Sequence, residues 1–147
     1  MTCVTDAVAP ATTIAHADVS RCMLAALCAA LKQHGVVRAV ITYDGYGDEG
    51  QIESVSTFDD AGEVTVPVTD CQSWDVPWRG EPVERIVTLS TALENFGYEM
   101  LARHQPGWEN GDGAFGECTI DVAAKRAELD HSVRFTAIEG FAYELRG

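Results

Sequence analysis

Apolar residues recur at helical spacing between residues 17 and 34, in the stretch ADVSRCMLAALCAALKQH. Residues three or four positions apart lie on one side of a helix, so this spacing forms a single apolar stripe. Asp18 stands where an N-terminal cap belongs, and Gly35 stands where a helix commonly ends. The stripe consists of Val19, Met23, Leu24, Leu27, Cys28 and Leu31. The pattern predicts a first long amphipathic helix.

Three strand-like stretches follow this helix. The β-branched run VVRAVITY (36–43) and the alternating run QIESVSTF (51–58) predict two strands separated by a hinge rich in Gly and Asp. The run EVTVPV (63–68) predicts a short third strand, which Pro67 places at a sheet edge because proline cannot donate a ladder hydrogen bond. The next stretch, TDCQSWDVPWRGEP (69–82), predicts an irregular loop.

A second helical pattern occupies VERIVTLSTALENFGYEMLARH (83–104), with Pro82 before it and Pro106 beyond it. After another hinge rich in Gly and Asp, alternation over residues 115–122 predicts a strand. The run AAKR then predicts a turn, and AELDHSVRFTAI (127–138) predicts one or two further strands.

The order of these elements, α-β-β-β-α-β-β, predicts an α+β domain. Connections of hairpin length, without the spacing of β-α-β crossovers, indicate an antiparallel sheet of four to six strands. We expect both long helices to pack on one face of this sheet, which leaves the other face to solvent or to a partner. Residues 1–15 predict a flexible leader, and residues 16–147 predict a single domain.

The charge of the chain is strongly negative and unevenly distributed. In 147 residues, 23 acids against 10 bases give a formal net charge of −13. No Lys or Arg occurs between Arg38 and Arg79, a stretch that contains Asp44, Asp48, Glu49, Glu53, Asp59, Asp60, Glu63, Asp70 and Asp75. Such a field repels nucleic acid and membrane surfaces and attracts basic partners. We therefore expect no direct nucleic-acid binding and no membrane binding.

The sequence also bears on the cellular compartment. No run approaches the ~20 apolar residues that cross a bilayer. No Lys or Arg precedes Arg21, whereas a secretory signal begins with a positively charged segment. Five cysteines without a C-x-x-C pair argue against a disulfide framework and a zinc ribbon. We expect Cys22, Cys28 and Cys118 to be buried thiols. These features predict a cytoplasmic protein without a cofactor.

Two hinges rich in Gly and Asp, ITYDGYGDEGQIESV (41–55) and ENGDGAFGECTIDV (109–122), carry the candidate chemistry. An EF-hand calcium loop that began at Asp44 would need different residues at its third, sixth and last positions. A different metal site, in a metal-binding domain or a metal-dependent enzyme, remains an alternative. Its ligands would be Asp44, Asp48, Asp112 and Glu117.

Other kinds of reactive site have less support. Neither hinge opens a helix or precedes a Lys, as a phosphate-binding loop would. No G-x-S-x-G nucleophile turn occurs in the chain, and His131 in a strand pattern fits a surface or cross-strand histidine. Enzymatic activity is left open, and a non-enzymatic role is favoured.

Aromatic residues lie in or near the acidic stretches, as is typical of a surface that binds a basic protein. The predicted partner-binding residues are Asp44, Tyr46, Asp48, Glu49, Glu53, Asp59, Asp60, Trp74 and Trp78. Two plainer interpretations remain: the hinges are only bends, and each tryptophan packs beneath a loop. The sequence leaves a homodimer open.

A resemblance to a family of small acidic bacterial proteins of unknown function, frequent on plasmids and phages, rests on four segments. They are DGYGDEGQIE (44–53), GWENGDGAFGE (107–117), DV (121–122) and LDH (129–131). The resemblance implies no catalytic residues. It implies an inhibitor encoded by a mobile element: an anti-CRISPR or other anti-defence protein, or an immunity protein against a toxic nuclease. Such inhibitors mimic nucleic acid by presenting carboxylates where the target binds phosphates.

Overall fold

A computed structural model describes residues 16–46, 49–77, 80–105 and 113–134 of the chain. The elements are α1 (His16–Gln33), β1 (Arg38–Tyr46), β2 (Glu49–Asp59), β3 (Gly62–Val64), β4 (Asp70–Asp75), β5 (Val83–Thr88), α2 (Leu89–His104), β6 (Ala114–Asp121) and β7 (Arg126–Val133). The predicted α+β class, with two helices and antiparallel strands, is confirmed. The expected leader, residues 1–15, lies outside the described residues.

The strands form one five-stranded sheet and one separate two-stranded ribbon. The sheet has the order β3-β2-β1-β6-β7, and every neighbouring pair in it is antiparallel. Its central strands, β1 and β6, come from the two halves of the chain on either side of α2. β3 lies at the edge, as predicted, but it ends at Val64, so Pro67 lies beyond the strand. The ribbon pairs β4 with β5.

The sequence prediction was wrong over residues 69–88. The expected loop contains strand β4, and the first six residues of the expected second helix form strand β5. Val83, Ile86 and Val87 are β-branched and therefore stiff at χ1, which favours a strand over a helix. Thr88 then caps α2, because its side chain accepts a hydrogen bond from the Thr91 backbone N–H.

The core lies between the two helices and one face of the five-stranded sheet. Alternate residues of β1 and β6 point into it and meet in register: Ala39 opposite Ile120, and Ile41 opposite Cys118. The helices contribute Val19, Met23, Leu27, Leu31, Leu89, Leu93 and Phe96 to the same cluster. Both helices therefore cover a single face, as the sequence predicts, and the ribbon packs against them through Cys71 and Trp74.

The cysteines only partly follow expectation. Cys28, Cys71 and Cys118 are buried free thiols, whereas Cys22 is disulfide-bonded, so the expectation of a buried thiol at Cys22 was wrong. Neither of the helices in the described ranges is long and apolar enough to cross a membrane.

Candidate functional site

The second face of the five-stranded sheet carries no described helix, and we call it the open face. Strand alternation places every other residue of each strand on this face. The register of the strands arranges these residues in four transverse rows running from β2 through β1 and β6 to β7. In order, the rows are Gln51–Asp44–Phe115–Ser132, Ser54–Thr42–Glu117–Asp130, Ser56–Val40–Thr119–Glu128 and Phe58–Arg38–Asp121–Arg126.

A β-bulge adds a further acid to the open face. Thr42 pairs with Ser54, but the next residue of β1, Tyr43, pairs with Ile52, so Glu53 is the extra residue of β2. A bulge turns a side chain away from its regular alternation. Glu53 consequently lines the same depression of the open face, about 360 Å³ in volume, as Glu117 and Asp130.

Glu53, Glu117 and Asp130 form an acidic row that no described base neutralises. None of the four salt bridges among the described residues includes any of them. Glu117 and Asp130 stand directly opposite each other on neighbouring antiparallel strands. Side chains in such pairs are about 5 Å apart at Cβ, and like charges placed there destabilise the sheet. Local arrangements that destabilise a fold, such as this pair of like charges, are expected mainly at functional sites.

At one end of the open face, Arg134 neutralises Asp44. Its Nη1 lies 2.9 Å from Oδ1 of Asp44 and its Nη2 lies 3.2 Å from Oδ2. The same guanidinium donates to the Gly45 carbonyl at 3.1 Å and lies 4.8 Å from the centroid of the Phe115 ring. The contact joins the end of β7 to β1, and it is bidentate, which suits the planar fork of arginine.

The opposite end of the open face also carries bases. The Arg38 guanidinium lies 4.1 Å from the centroid of the Phe58 ring. Asp121 stands in register between Arg38 and Arg126. Bases therefore stand in register with an acid at this end and pair with one at the other end, whereas the rows that contain Glu117, Asp130 and Glu128 include no base.

On the covered face, Tyr43 and His131 make a hydrogen bond across an intervening strand. The Tyr43 Oη lies 2.6 Å from His131 Nδ1, and Gly116 of β6 lies between them in register. Burial raises the pKa of Tyr43 to about 12 and lowers the pKa of His131. The phenol therefore stays protonated and shares this hydrogen bond with a neutral imidazole. His131 is thus a cross-strand histidine, one of the two roles its strand pattern predicts.

The predicted partner-binding residues are spread over different surroundings. Asp44 is held by Arg134, whereas Glu53 belongs to the acidic row. Asp59 accepts hydrogen bonds from the Ala61 and Gly62 backbone N–H groups at 2.7 and 3.0 Å, so its carboxylate shapes the turn between β2 and β3. The side chain of Asp60 is exposed in that turn and borders a groove beside α1.

Trp74 is not an exposed anchor. Its side chain is 3% exposed and belongs to the core, because β4 packs against both helices. Its indole N–H is buried and has no hydrogen-bond partner among the residues that the structure describes. Asp48, Trp78 and Asp112 lie outside the described residues, as do the side chains of Tyr46 and Glu49; their proposed roles stay predictions.

The sequence prediction missed Asp130 and Arg134 on the open face, and it considered Glu117 only as a metal ligand. The pairing of Glu117 with Asp130 could have been predicted from the turn at the run AAKR, which implies a hairpin. Pairing the strands around that turn brings Glu117 opposite Asp130. The contact of Arg134 with Asp44, 90 positions apart in the chain, depends on the order of strands in the sheet and has no local signal.

The metal alternative gains nothing from the described residues. Among them, no group of three or more His, Cys, Asp or Glu side chains is arranged to hold a metal ion. Of the predicted ligands, Asp44 is bound by Arg134, and Glu117 belongs to the acidic row. A contribution from Asp48 and Asp112 stays a prediction.

Comparison with known proteins locates the chain in one family. Neither the curated proteins nor the solved structures contain a match. A family model with the description "Family of unknown function (DUF6878)" matches residues 20–145. This span includes most of α1 and all the strands that build the open face. The chain therefore belongs to the DUF6878 family of unknown function.

Proposed function

We propose that this protein is a non-enzymatic inhibitor that binds the basic surface of a nucleic-acid-processing protein through its open face. The observation that carries the proposal is the acidic row of Glu53, Glu117 and Asp130. These carboxylates line one depression of an exposed sheet surface, and none of the salt bridges among the described residues includes them. A basic side chain supplied by a partner would relieve the repulsion between Glu117 and Asp130.

The chemistry of the open face suits a surface that normally binds phosphates. Arg and Lys side chains in nucleic-acid channels bind phosphate oxygens through charge-assisted hydrogen bonds, and carboxylate oxygens accept the same bonds. Hydroxyl groups of Thr42, Ser54 and Ser132 flank the acids in register and can accept or donate further bonds. The net charge of −13 adds long-range attraction to such a partner.

The class of partner we favour is a nuclease or effector of a host defence system, including CRISPR effectors. This choice rests on the resemblance to small acidic proteins of plasmids and phages, in which carboxylates replace phosphates. An immunity protein against a toxic nuclease would use the same face with the same chemistry. The two roles differ in the identity of the bound nuclease.

An enzymatic role has no comparable support among the described residues. The best candidate for a reactive pair is Tyr43 with His131, but burial raises the pKa of Tyr43 to about 12, which disfavours the phenolate. A nucleophile or a general base requires the opposite direction of shift. This hydrogen bond is better explained as part of the sheet.

The test is a capture experiment with tagged protein in host lysate at low and high salt. We expect a basic nucleic-acid-processing protein to be captured at low salt and released at high salt. While it is bound to the tagged protein, it should no longer bind nucleic acid. The variant Glu117→Gln/Asp130→Asn should capture much less of it.

The matched control is Glu94→Gln/Asp70→Asn, which removes two exposed acids from α2 and β4. It should capture as much as the unmodified protein. Equal capture by both double variants, or a captured protein whose nucleic-acid binding is unaffected, would contradict the proposal.

A further inference from the structure

A groove of about 760 Å³ runs beside α1, on the opposite side of the sheet from the acidic row. This volume is within the range of about 300–1,000 Å³ usual for small-molecule sites. One wall is a stripe of α1 formed by Arg21, Leu24, Ala25, Cys28, Ala29 and Lys32. Eleven residues separate the ends of this stripe, so the groove is about 16 Å long at 1.5 Å per residue.

The floor of the groove is apolar. Cys28, Val36 and Val122 are buried there, and Val37 is 39% exposed at its side. Ala25 and Ala29 occupy the middle of the helical stripe, and their small side chains leave the groove open. A ligand with an extended apolar body would bury its surface against this floor.

The rim of the groove is basic, in contrast with the rest of the molecule. Arg21, Lys32 and Lys125 border it, and Asp60 is the one acid among the described residues that line it. Three of the ten bases of a chain with net charge −13 thus surround one apolar groove. Arg21 is paired with Asp18 at 3.8 Å, but none of the salt bridges among the described residues includes Lys32 or Lys125, so these two ammonium groups are complementary to an anionic group.

Lys125 is placed at the groove by an unusual backbone. Its φ is 54°, a left-handed conformation that a glycine or asparagine adopts at lower cost. Burial raises the pKa of the Cys28 thiol on the groove floor, the charge of Lys125 acts against that increase, and the carboxylate of Asp121 adds to it, so both charged groups lie within electrostatic reach of the floor. The turn thus keeps a lysine at the groove although another residue would fit the backbone better.

We infer that this groove binds an amphiphilic carboxylate of the fatty-acid type, with the chain along the apolar floor and the head group at the basic rim. A second copy of the chain is a poorer occupant. Antiparallel packing of two α1 helices would bring Arg21 of one copy against Lys32 of the other, and parallel packing would bring each base against its own counterpart. The groove shares no residue with the open face, so the inference does not rest on the proposed inhibitory function.

The test is calorimetric titration of the full chain with decanoate below its micellar concentration. We expect one decanoate to bind, and butyrate, with the same head group and a short chain, to bind much more weakly. Decyltrimethylammonium, with the same chain and the opposite charge, should not bind. Replacement of both rim lysines in Lys32→Gln/Lys125→Gln should weaken decanoate binding about tenfold, since each exposed charge contact contributes modestly.

Two further variants separate charge from shape. Ala29→Trp should abolish binding by filling the groove, whereas Arg126→Gln should leave binding unchanged, because Arg126 is adjacent in sequence but lies on the open face. Three results would each overturn the inference: no binding of decanoate, equal binding of decyltrimethylammonium, or unchanged decanoate affinity in Lys32→Gln/Lys125→Gln. The lysines are exposed, so their replacement leaves the fold intact.

Discussion

Replacing Gly116 with alanine should destabilise the protein more than its small size suggests. A Cβ built on Gly116 would lie 2.0 Å from the backbone carbonyl oxygen of Asp130 and 2.6 Å from Oη of Tyr43. An ordinary carbon–oxygen contact is at least about 3.3 Å. The backbone of β7 must therefore move away from β6 by about 1 Å, because the first of these obstacles is main chain and cannot rotate aside.

The loss of unfolding free energy in Gly116→Ala can be estimated from the contacts that this movement of β7 disrupts. Overpacking of this kind typically costs about 1–3 kcal/mol, and sometimes more. Displacing Tyr43 from His131 removes a hydrogen bond worth about 1 kcal/mol, and the ladder between β6 and β7 weakens by a similar amount. We expect the Gly116→Ala variant to lose about 3–5 kcal/mol, a large share of the roughly 5–15 kcal/mol typical of a whole domain.

Gly97 in α2 provides the matched control. A Cβ there would meet Cγ2 of Ile41 at 2.8 Å and Cδ1 of Ile52 at 2.9 Å, which are ends of side chains that can shift. Alanine also favours the helix over glycine by about 1 kcal/mol. The Gly97→Ala variant should therefore lose only about 0–2 kcal/mol.

Urea denaturation of both variants, followed by tryptophan fluorescence and far-ultraviolet circular dichroism, measures the two losses. If Gly116→Ala fails to fold while Gly97→Ala folds, the ranking still holds. A loss below about 1 kcal/mol for Gly116→Ala, or a larger loss for Gly97→Ala, would refute the packing of Tyr43 over β6.

Four smaller predictions concern individual contacts, each measured by urea denaturation. Burial lowers the pKa of His131 below 6.5, so the unfolded state binds more protons than the folded state. The free energy of unfolding should therefore fall as the pH drops below about 6.5. His131→Gln should reduce this pH dependence, and a variant with an unchanged pH profile would contradict the prediction. Arg134→Lys should lose about 1 kcal/mol, since lysine cannot replace a bidentate contact that is partly exposed; no loss would show that the contact with Asp44 is not formed. Thr88→Ala should cost about 1 kcal/mol by removing the cap of α2, and a neutral result would reject that cap. Glu117→Gln should stabilise the protein by about 0.2–1 kcal/mol by relieving repulsion from Asp130, and destabilisation would contradict the like-charge pairing.

An element of this fold can be predicted from the sequence where its signals lie within the element itself. The first helix, α1, was predicted almost to the residue, because its apolar stripe and its end signals lie within the segment itself. The boundary between β5 and α2 was missed because the apolar residues from Ile86 to Leu101 keep helical spacing, and only the cap at Thr88 marks the change.

Only part of the candidate site could be predicted, because most of its contacts join strands that are distant in the sequence. Glu53 was chosen from the charge of its hinge, but its place on the open face depends on a bulge that the sequence does not mark. Trp74 was chosen as an anchor because composition cannot distinguish a buried tryptophan from an exposed one. The acidic row combines residues of β2, β6 and β7, so it becomes visible only when the strand order is known.

The most direct test of the central claim compares two double variants of equal charge. Fluorescence anisotropy with a labelled nona-arginine peptide measures binding to the unmodified protein, to Glu117→Gln/Asp130→Asn and to Glu94→Gln/Asp70→Asn. If the open face is the binding surface, the first variant should bind at least about fivefold more weakly than the second, with a smaller dependence on salt. Equal loss in both variants would show that the peptide responds only to the net charge of the molecule, and the acidic row would then have no special role.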